Sequence, residues 1–309
     1  MSVKLVESVP NFSEGRREEV VKAIVSEAEK YDGVWVLDWS MDPDHNRSVV
    51  TLIGKPEVIV DALFDMAKKA VELIDLRHHK GEHPRMGAVD VIPFVPVLNI
   101  DMKECVELSK KLGRRIGEEL KVPVYLYERS ATKPERENLA NIRKGEFEGF
   151  FEKIKDPEWK PDFGPDEVHP TAGVVAVGAR EYLIAYNVNL GTEDLNIAKK
   201  IAKAVRHISG GFRYVKAIGL ELKEKGMVQV SMNLTNYKKS PIFRVFETIK
   251  REAQRYGVPV IESEIIGMVP LQAILDVAMW YLQVNDFDSS RIIESRIIEI
   301  FAKELEEKG

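Results

Sequence analysis

The order in which hydrophobic periodicity changes along this chain constrains its fold more than any other feature: strand, helix, two strands, helix, strand, then the same order again. Residues 3–9 read as a strand, and residues 18–30 carry Val20, Val21, Ile24, Val25 and Ala28 at helical spacing. Residues 34–39 and 48–53 read as strands on either side of the turn-rich Met41-Asp42-Pro43-Asp44-His45-Asn46. Pro56 suits a first helical position, and Val58, Ile59, Ala62, Leu63, Met66, Ala67, Ala70 and Leu73 mark one apolar face behind it. Residues 89–97 close the unit as a strand. The second copy has a strand at 182–188, a helix at 194–207, and a hairpin of 214–222 with 228–234 around Glu224-Lys225-Gly226. A helix from Pro241 to Arg255 and a strand at 258–261 complete it. The order βαββαβ is the split βαβ arrangement called ferredoxin-like. The expected class is therefore α/β (α+β), with two ferredoxin-like subdomains over residues 1–178 and 179–309, the second ending in helices.

Size and composition agree with two packed lobes. A chain of 309 residues exceeds what one small core supports, and 44% hydrophobic with 31% charged residues describes an ordered globular protein. A net charge of −5 leaves no broad basic field for a phosphate backbone, so nucleic acid is not an expected partner. The single cysteine, Cys105, excludes an internal disulfide and fits a reducing compartment; on its helix it reads as a small buried apolar residue. No cationic segment with a long apolar run opens the chain and no later run could span a bilayer, so a cytoplasmic protein without a membrane partner is expected.

Between the copies lie a helix at 102–120, a strand at 123–127 and a segment at 157–173 that holds Pro157, Pro161, Pro165 and Pro170 with Gly164 and Gly173. A long structureless stretch is either a linker or a functional loop, and Trp159 and Phe163 argue against a flexible linker. Helices at 271–282 and 292–305 end the chain.

Three of the six histidines fall within Arg77-His78-His79-Lys80-Gly81-Glu82-His83-Pro84-Arg85-Met86-Gly87. His79-Lys80-Gly81-Glu82-His83 matches the H-x-x-E-H pattern of a zinc peptidase class. Gly81 interrupts the helix that motif needs, and Pro84 biases His83 away from the helical region, so a metal site is not expected. Arg77, His78, His79 and Lys80 read as cations gathered at a helix end. His83 and Arg85, set between Gly81, Pro84 and Gly87, read as functional, because an imidazole can accept a proton near neutral pH. Asn11, Ser13, Glu14 and Gly15, and Asp38, Asp42, His45, Asn46 and Arg47, cluster in two loop regions expected to meet this site. All are also ordinary turn and capping residues.

Beyond that point the chain resembles a known family. Val9-Pro10-Asn11-Phe12-Ser13-Glu14-Gly15, Asp44-His45-Asn46-Arg47-Ser48, Gly81-Glu82-His83-Pro84-Arg85-Met86-Gly87 and Pro93-Phe94-Val95-Pro96-Val97 look like segments of glutamate formimidoyltransferases. So do Val122-Pro123-Val124-Tyr125-Leu126-Tyr127, Pro161-Asp162-Phe163-Gly164-Pro165 and Gly267-Met268-Val269-Pro270-Leu271. The resemblance implies a homodimer of two-subdomain chains with a folate-binding tunnel between the subdomains. It implies formimidoyl transfer between N-formimidoyl-L-glutamate and tetrahydrofolate as co-substrate, within histidine degradation and one-carbon metabolism, without a metal. His83 falls on the family's general base. Gly164, Pro165, Asp166, Glu167, Val168, His169, Pro170, Thr171, Ala172 and Gly173 fall on its folate-binding stretch, although Asp166 to His169, Thr171 and Ala172 depart from the animal enzymes. Arg85 or Arg47 could hold a substrate carboxylate, Glu82 or Asp38 could face the cationic nitrogen of the adduct, and Asn11 joins them as a substrate-binding candidate. The same residues leave open formyl transfer from 5-formyltetrahydrofolate to glutamate, and a folate-binding protein without turnover.

Overall fold

The computed structural model describes residues 3–81 and 84–308, with side chains as far as residue 300. The chain is mixed α/β and divides into two units, residues 1–181 and 182–309, each around its own sheet.

The first unit runs β1 (Leu5–Ser8), β2 (Asn11–Phe12), α1 (Glu18–Ala28), β3 (Val34–Asp42), β4 (Arg47–Gly54), α2 (Pro56–Leu73) and β5 (Val89–Leu98). It continues with α3 (Met102–Arg115), β6 (Val124–Glu128), α4 (Leu139–Arg143), α5 (Glu146–Lys153) and β7 (Val175–Ala179). β1 and β2 are two pieces of one interrupted strand, each antiparallel to β4 on one side and β5 on the other. β3 adds to β4. Beyond β5 the sheet continues in parallel, through β7 to β6. Because side chains alternate across a strand, Val6, Phe12, Val50 and Leu52 turn to one face. There they bury against Val21 and Ile24 of α1 and Ile59, Leu63 and Met66 of α2, each side chain contributing about 1.5–3 kcal/mol.

Three features of this unit depart from the expectation read off the sequence. β7 enters the sheet between β5 and β6, so the strand at 123–127 belongs to the first sheet and not to a connection. Helices α4 and α5 lie in a stretch with no assigned element. Residues 157–173 are not structureless: they begin with the 3-10 turn Pro157–Trp159, and Asp162 N–H and Phe163 C=O pair with Val124, each at 2.9 Å.

The second unit runs β8 (Ile184–Leu190), α6 (Leu195–Val205), β9 (Val215–Leu222), β10 (Met227–Leu234), α7 (Ile242–Arg255) and β11 (Val260–Ile266), then α8 (Leu271–Leu282) and α9 (Ile293–Lys308). Its sheet is antiparallel in the order β11-β8-β10-β9. Val188, Leu190, Val228 and Val230 bury against Ile201 and Val205 of α6 and Val245 and Ile249 of α7. Among the described residues no helix is long and apolar enough to cross a membrane.

Candidate active site

Strand register brings three of the expected substrate residues to one surface of the first sheet. Asn11 stands opposite Val49, Asp38 opposite Thr51, and Asp42 opposite Arg47. Directly opposed residues share a face, and Val49, Thr51 and Arg47 alternate with the core residues Val50 and Leu52. Asn11, Asp38, Asp42 and Arg47 therefore all lie on the face turned away from α1 and α2. Asp38 is exposed there, whereas Asn11 is half-buried and gives its Nδ2–H to Val9 C=O at 3.0 Å.

Arg47 and Arg85, alternatives in sequence, are in different states. Arg47 is half-buried, and its Nε–H is fully out of solvent with no acceptor among the described residues. Burial first, and the Arg143 guanidinium second, push its pKa down, against the pull of Asp90 and Asp42. Arg143 itself is engaged: Asp90, buried in β5, accepts its Nε–H at 2.8 Å and a second N–H, while the other oxygen accepts Met86 N–H at 2.9 Å. Arg85 is engaged as well. It donates to Glu146 at 3.0 Å, to the two oxygens of Glu148 at 2.8 and 2.6 Å, and through Nε to His79 Nδ1 at 3.2 Å. Four of its five N–H groups are thereby used. The Glu148 bridge, followed by burial, which acts the other way, leads the causes that raise its pKa.

His79 corrects the reading of residues 77–80 as a set of helix-end cations. Arg77 does sit at the surface, clasping Asp75, and His78 is exposed. His79 instead is buried, with Nε2 2.8 Å from the C=O of Asn46 and Nδ1 receiving the Arg85 Nε–H. Only the neutral ring protonated on Nε2 satisfies both partners. Burial, then the Arg85 charge, outweigh the Asn46 bond and lower its pKa.

Asn46 joins three loops. Its backbone is left-handed, at φ 48°; its Oδ1 accepts Gly15 N–H at 2.9 Å and its Nδ2 donates to Lys80 C=O at 3.1 Å. A Cβ on Gly81 would lie 2.3 Å from His45 C=O, so only glycine permits this approach. Residues 80–81 and 84–87 are thus fixed from both sides. Glu82 and His83, between them, lie outside the described residues.

The stretch from Gly164 to Gly173 changes character along its length. Gly164, Asp166, Glu167 and Pro170 are exposed, Pro165, His169 and Thr171 are half-buried, and Val168, Ala172 and Gly173 are buried. Asp166 pairs with Lys160 at the surface. From His169 onward the chain forms a closed turn in which His169 Nδ1 accepts Ala172 N–H at 3.0 Å, leaving Nε2 as the ring donor. Thr171 C=O then accepts Leu76 N–H, Ala172 C=O accepts Ala88 N–H, and Gly173 bridges Gly87. At that crossing a Cβ on Gly87 would stand 2.1 Å from Val174 C=O, and one on Gly173 2.2 Å from Met86 C=O. The last part of the stretch is therefore laid directly on the residues that follow His83.

Asp90, Arg143, Glu146, Glu148 and the buried state of His79 were not singled out in the sequence. Asp90 carried a signal, as one carboxylate inside the apolar run 88–98; the others carried none. Cys105 is buried, and burial first, with Glu104 and Asp101, raises its thiol to about 12. Among the described residues no group of three or more His, Cys, Asp or Glu is arranged to hold a metal.

The sequence model of the formiminotransferase domain, N-terminal subdomain, matches residues 5–180, and that of the formiminotransferase domain matches residues 185–306. The chain is 53% identical over 296 residues to a glutamate formimidoyltransferase of Streptococcus pyogenes serotype M1, covering 96% of this chain and 99% of that protein. It is 52% identical over 297 residues to a glutamate formimidoyltransferase of Thermoplasma acidophilum, covering 96% and 98%. A formimidoyltransferase-cyclodeaminase of Rattus norvegicus is 45% identical over 285 residues, 90% of this chain and 52% of that longer protein.

Proposed function

Because the chain belongs to the formiminotransferase family, we propose that it is a glutamate formimidoyltransferase, moving the formimidoyl group between N-formimidoyl-L-glutamate and tetrahydrofolate. The observation that carries this reading is the end-to-end similarity to glutamate formimidoyltransferases, 53% identity with almost all of both chains covered. Residues 1–178 and 179–309 are its two subdomains, each of ferredoxin-like order; the sequence β8-α6-β9-β10-α7-β11 supports this for the second.

In the reaction, N5 of tetrahydrofolate forms a bond to the formimidoyl carbon and loses a proton. The glutamate nitrogen then departs from that carbon and needs a proton. His83 is the general base that takes the first proton and returns it to the leaving nitrogen. The adduct is cationic on nitrogen, so carboxylates at Glu82 or Asp38 stabilise it where an oxyanion hole would not. Arg47 holds a substrate carboxylate, because its Nε–H lacks an acceptor among the described residues while the guanidinium of Arg85 is already forked onto Glu146 and Glu148. Asn11, on the same face, adds an amide. The stretch Gly164 to Gly173 binds the folate, through its exposed first part and the backbone around the His169 turn. The chemistry calls for no metal. The family resemblance supports a homodimer acting on these two small molecules, while the acidic composition argues against nucleic acid and the lone buried thiol fits the cytoplasm.

The test is direct: incubate the protein with tetrahydrofolate and either formiminoglutamate or formylglutamate and measure glutamate released. Release from formiminoglutamate alone is expected; release from formylglutamate alone would move the activity to formyl transfer.

A further inference from the structure

We infer that His79 is a positioning residue for this reaction, a neutral link that couples the Arg85 fork to the Asn46 hub and so holds the loop bearing the general base at both ends. The inference rests on the transferase reading above. Six hydrogen bonds carry it, in a chain that branches at Asn46. Glu148 accepts two Arg85 N–H groups at 2.8 and 2.6 Å; Arg85 Nε–H reaches His79 Nδ1 at 3.2 Å; His79 Nε2–H reaches Asn46 C=O at 2.8 Å; Asn46 then holds Gly15 N–H at 2.9 Å and Lys80 C=O at 3.1 Å. Lys80 lies on one side of Glu82 and His83, and Arg85 on the other. The chain therefore leaves and re-enters the same hydrogen-bonded network across those residues.

The ring is uniquely suited to this task. It offers an acceptor and a donor about 2 Å apart on one rigid plane, which aligns the two partners. An asparagine reaches only the nearer one and a glutamine only the farther. A second proton would place an Nδ1–H against the Arg85 Nε–H, donor against donor and cation against cation. Among the described residues, the charged groups that act on the ring are Arg85 and Arg16, which oppose that proton, and Glu14 and Glu148, which favour it; burial and Arg85 prevail. Exact placement of a reacting group matters to the rate, since a displacement of about 1 Å can cost about 100-fold.

The first arm of the test needs no activity. Long-range proton–nitrogen NMR of the wild-type imidazoles, with His79 assigned by difference from His79→Gln, is expected to show a neutral Nε2–H ring at neutral pH that takes its second proton only below the range of an unperturbed histidine. A ring that titrates near 6.5, or one protonated on Nδ1, overturns the inference. In the second arm His79→Gln is expected to lower kcat about 10- to 100-fold with both KM values within about twofold. The double variant His79→Gln/Arg85→Met should be no slower than the slower single variant, because both cut one link. Unchanged kcat in His79→Gln, or losses that multiply, overturns it too. A wild-type protein that releases no glutamate would sink the transferase reading, and the NMR arm would still decide the network.

Discussion

Replacing Arg47 by methionine should separate stability from substrate binding, with opposite signs. In the free protein the Nε–H is buried without an acceptor among the described residues, and the guanidinium stands near Arg143. A buried polar group left unpaired costs about 1–3 kcal/mol. Methionine keeps the apolar stem and removes that cost. The unfolding midpoint of Arg47→Met should therefore hold or rise, by about 2–4 °C for each kcal/mol relieved. When a substrate carboxylate is bound the balance reverses, because hydrogen bonds to a charged group are worth about 1.5–3 kcal/mol. That is about a 10- to 150-fold rise in KM for formiminoglutamate. If the contact is equally strong in substrate and adduct, kcat stays near wild type, and KM for tetrahydrofolate should not move. Glutamate release at varied formiminoglutamate, beside scanning calorimetry of the free protein, measures both effects. A variant that melts several degrees lower while both KM values stay put would show that Arg47 supports the fold and not the substrate.

Three further expectations follow from geometry. His83→Ala should lower kcat by about 10² to 10⁴ with folate affinity little changed, and His83→Asn should be no better, since an amide cannot take the proton; pre-steady-state turnover with a folate titration decides this. Gly87→Ala would put a methyl 2.1 Å from Val174 C=O and should pry residues 172–174 from 86–88, lowering the melting temperature and weakening folate binding together. A loss of stability with folate affinity intact would separate the stretch 164–173 from the ligand. Cys105, with its thiol raised to about 12, should resist Ellman's reagent in the native protein at pH 8 and react once unfolded. A thiol whose folded pKa exceeds its unfolded value of about 8.5 favours the native state below that value. This contribution fades as pH climbs from there toward 12, so the Cys105→Ala variant should lose less stability above pH 9 than wild type.

The strands and helices of the second unit were legible because each buries one face, and the period of its apolar residues reports that face directly. The same holds for α1 and α2. β7 was not legible, because Val175-Ala176-Val177-Gly178-Ala179 is flanked by parallel neighbours and shows no alternation to read. Helices α4 and α5 are short and held by tertiary contacts: Arg143 to Asp90, Lys153 to the carbonyls of Asn141 and Ile142, Phe147 and Phe150 in the core. The loop segments of the candidate site stood out through their glycines and prolines, whose backbone demands are written in residue type. The roles of Arg47, Arg85 and His79 could not be separated that way. Whether a guanidinium is satisfied depends on Glu146 and Glu148, some sixty residues away, and a histidine at a helix end looks the same whether it faces water or a buried carbonyl.

The place of β7 in the sheet has a consequence for how the protein is made. It is the last strand of the first unit to leave the ribosome, yet it sits between β5 and β6, so β6 has no partner in the sheet until β7 arrives. Such late, long-range pairing is slow, and it leaves an open edge on β5 during synthesis. The residues that insert β7 are continuous with the stretch 164–173, whose last turn locks onto Met86 and Ala88 immediately beforehand. Closure of the sheet and arrival of that stretch beside the base-bearing loop are thus one folding event. A nascent chain that stops short of Ala179 has neither, and the closed sheet and the placed stretch should emerge together in a single step of translation.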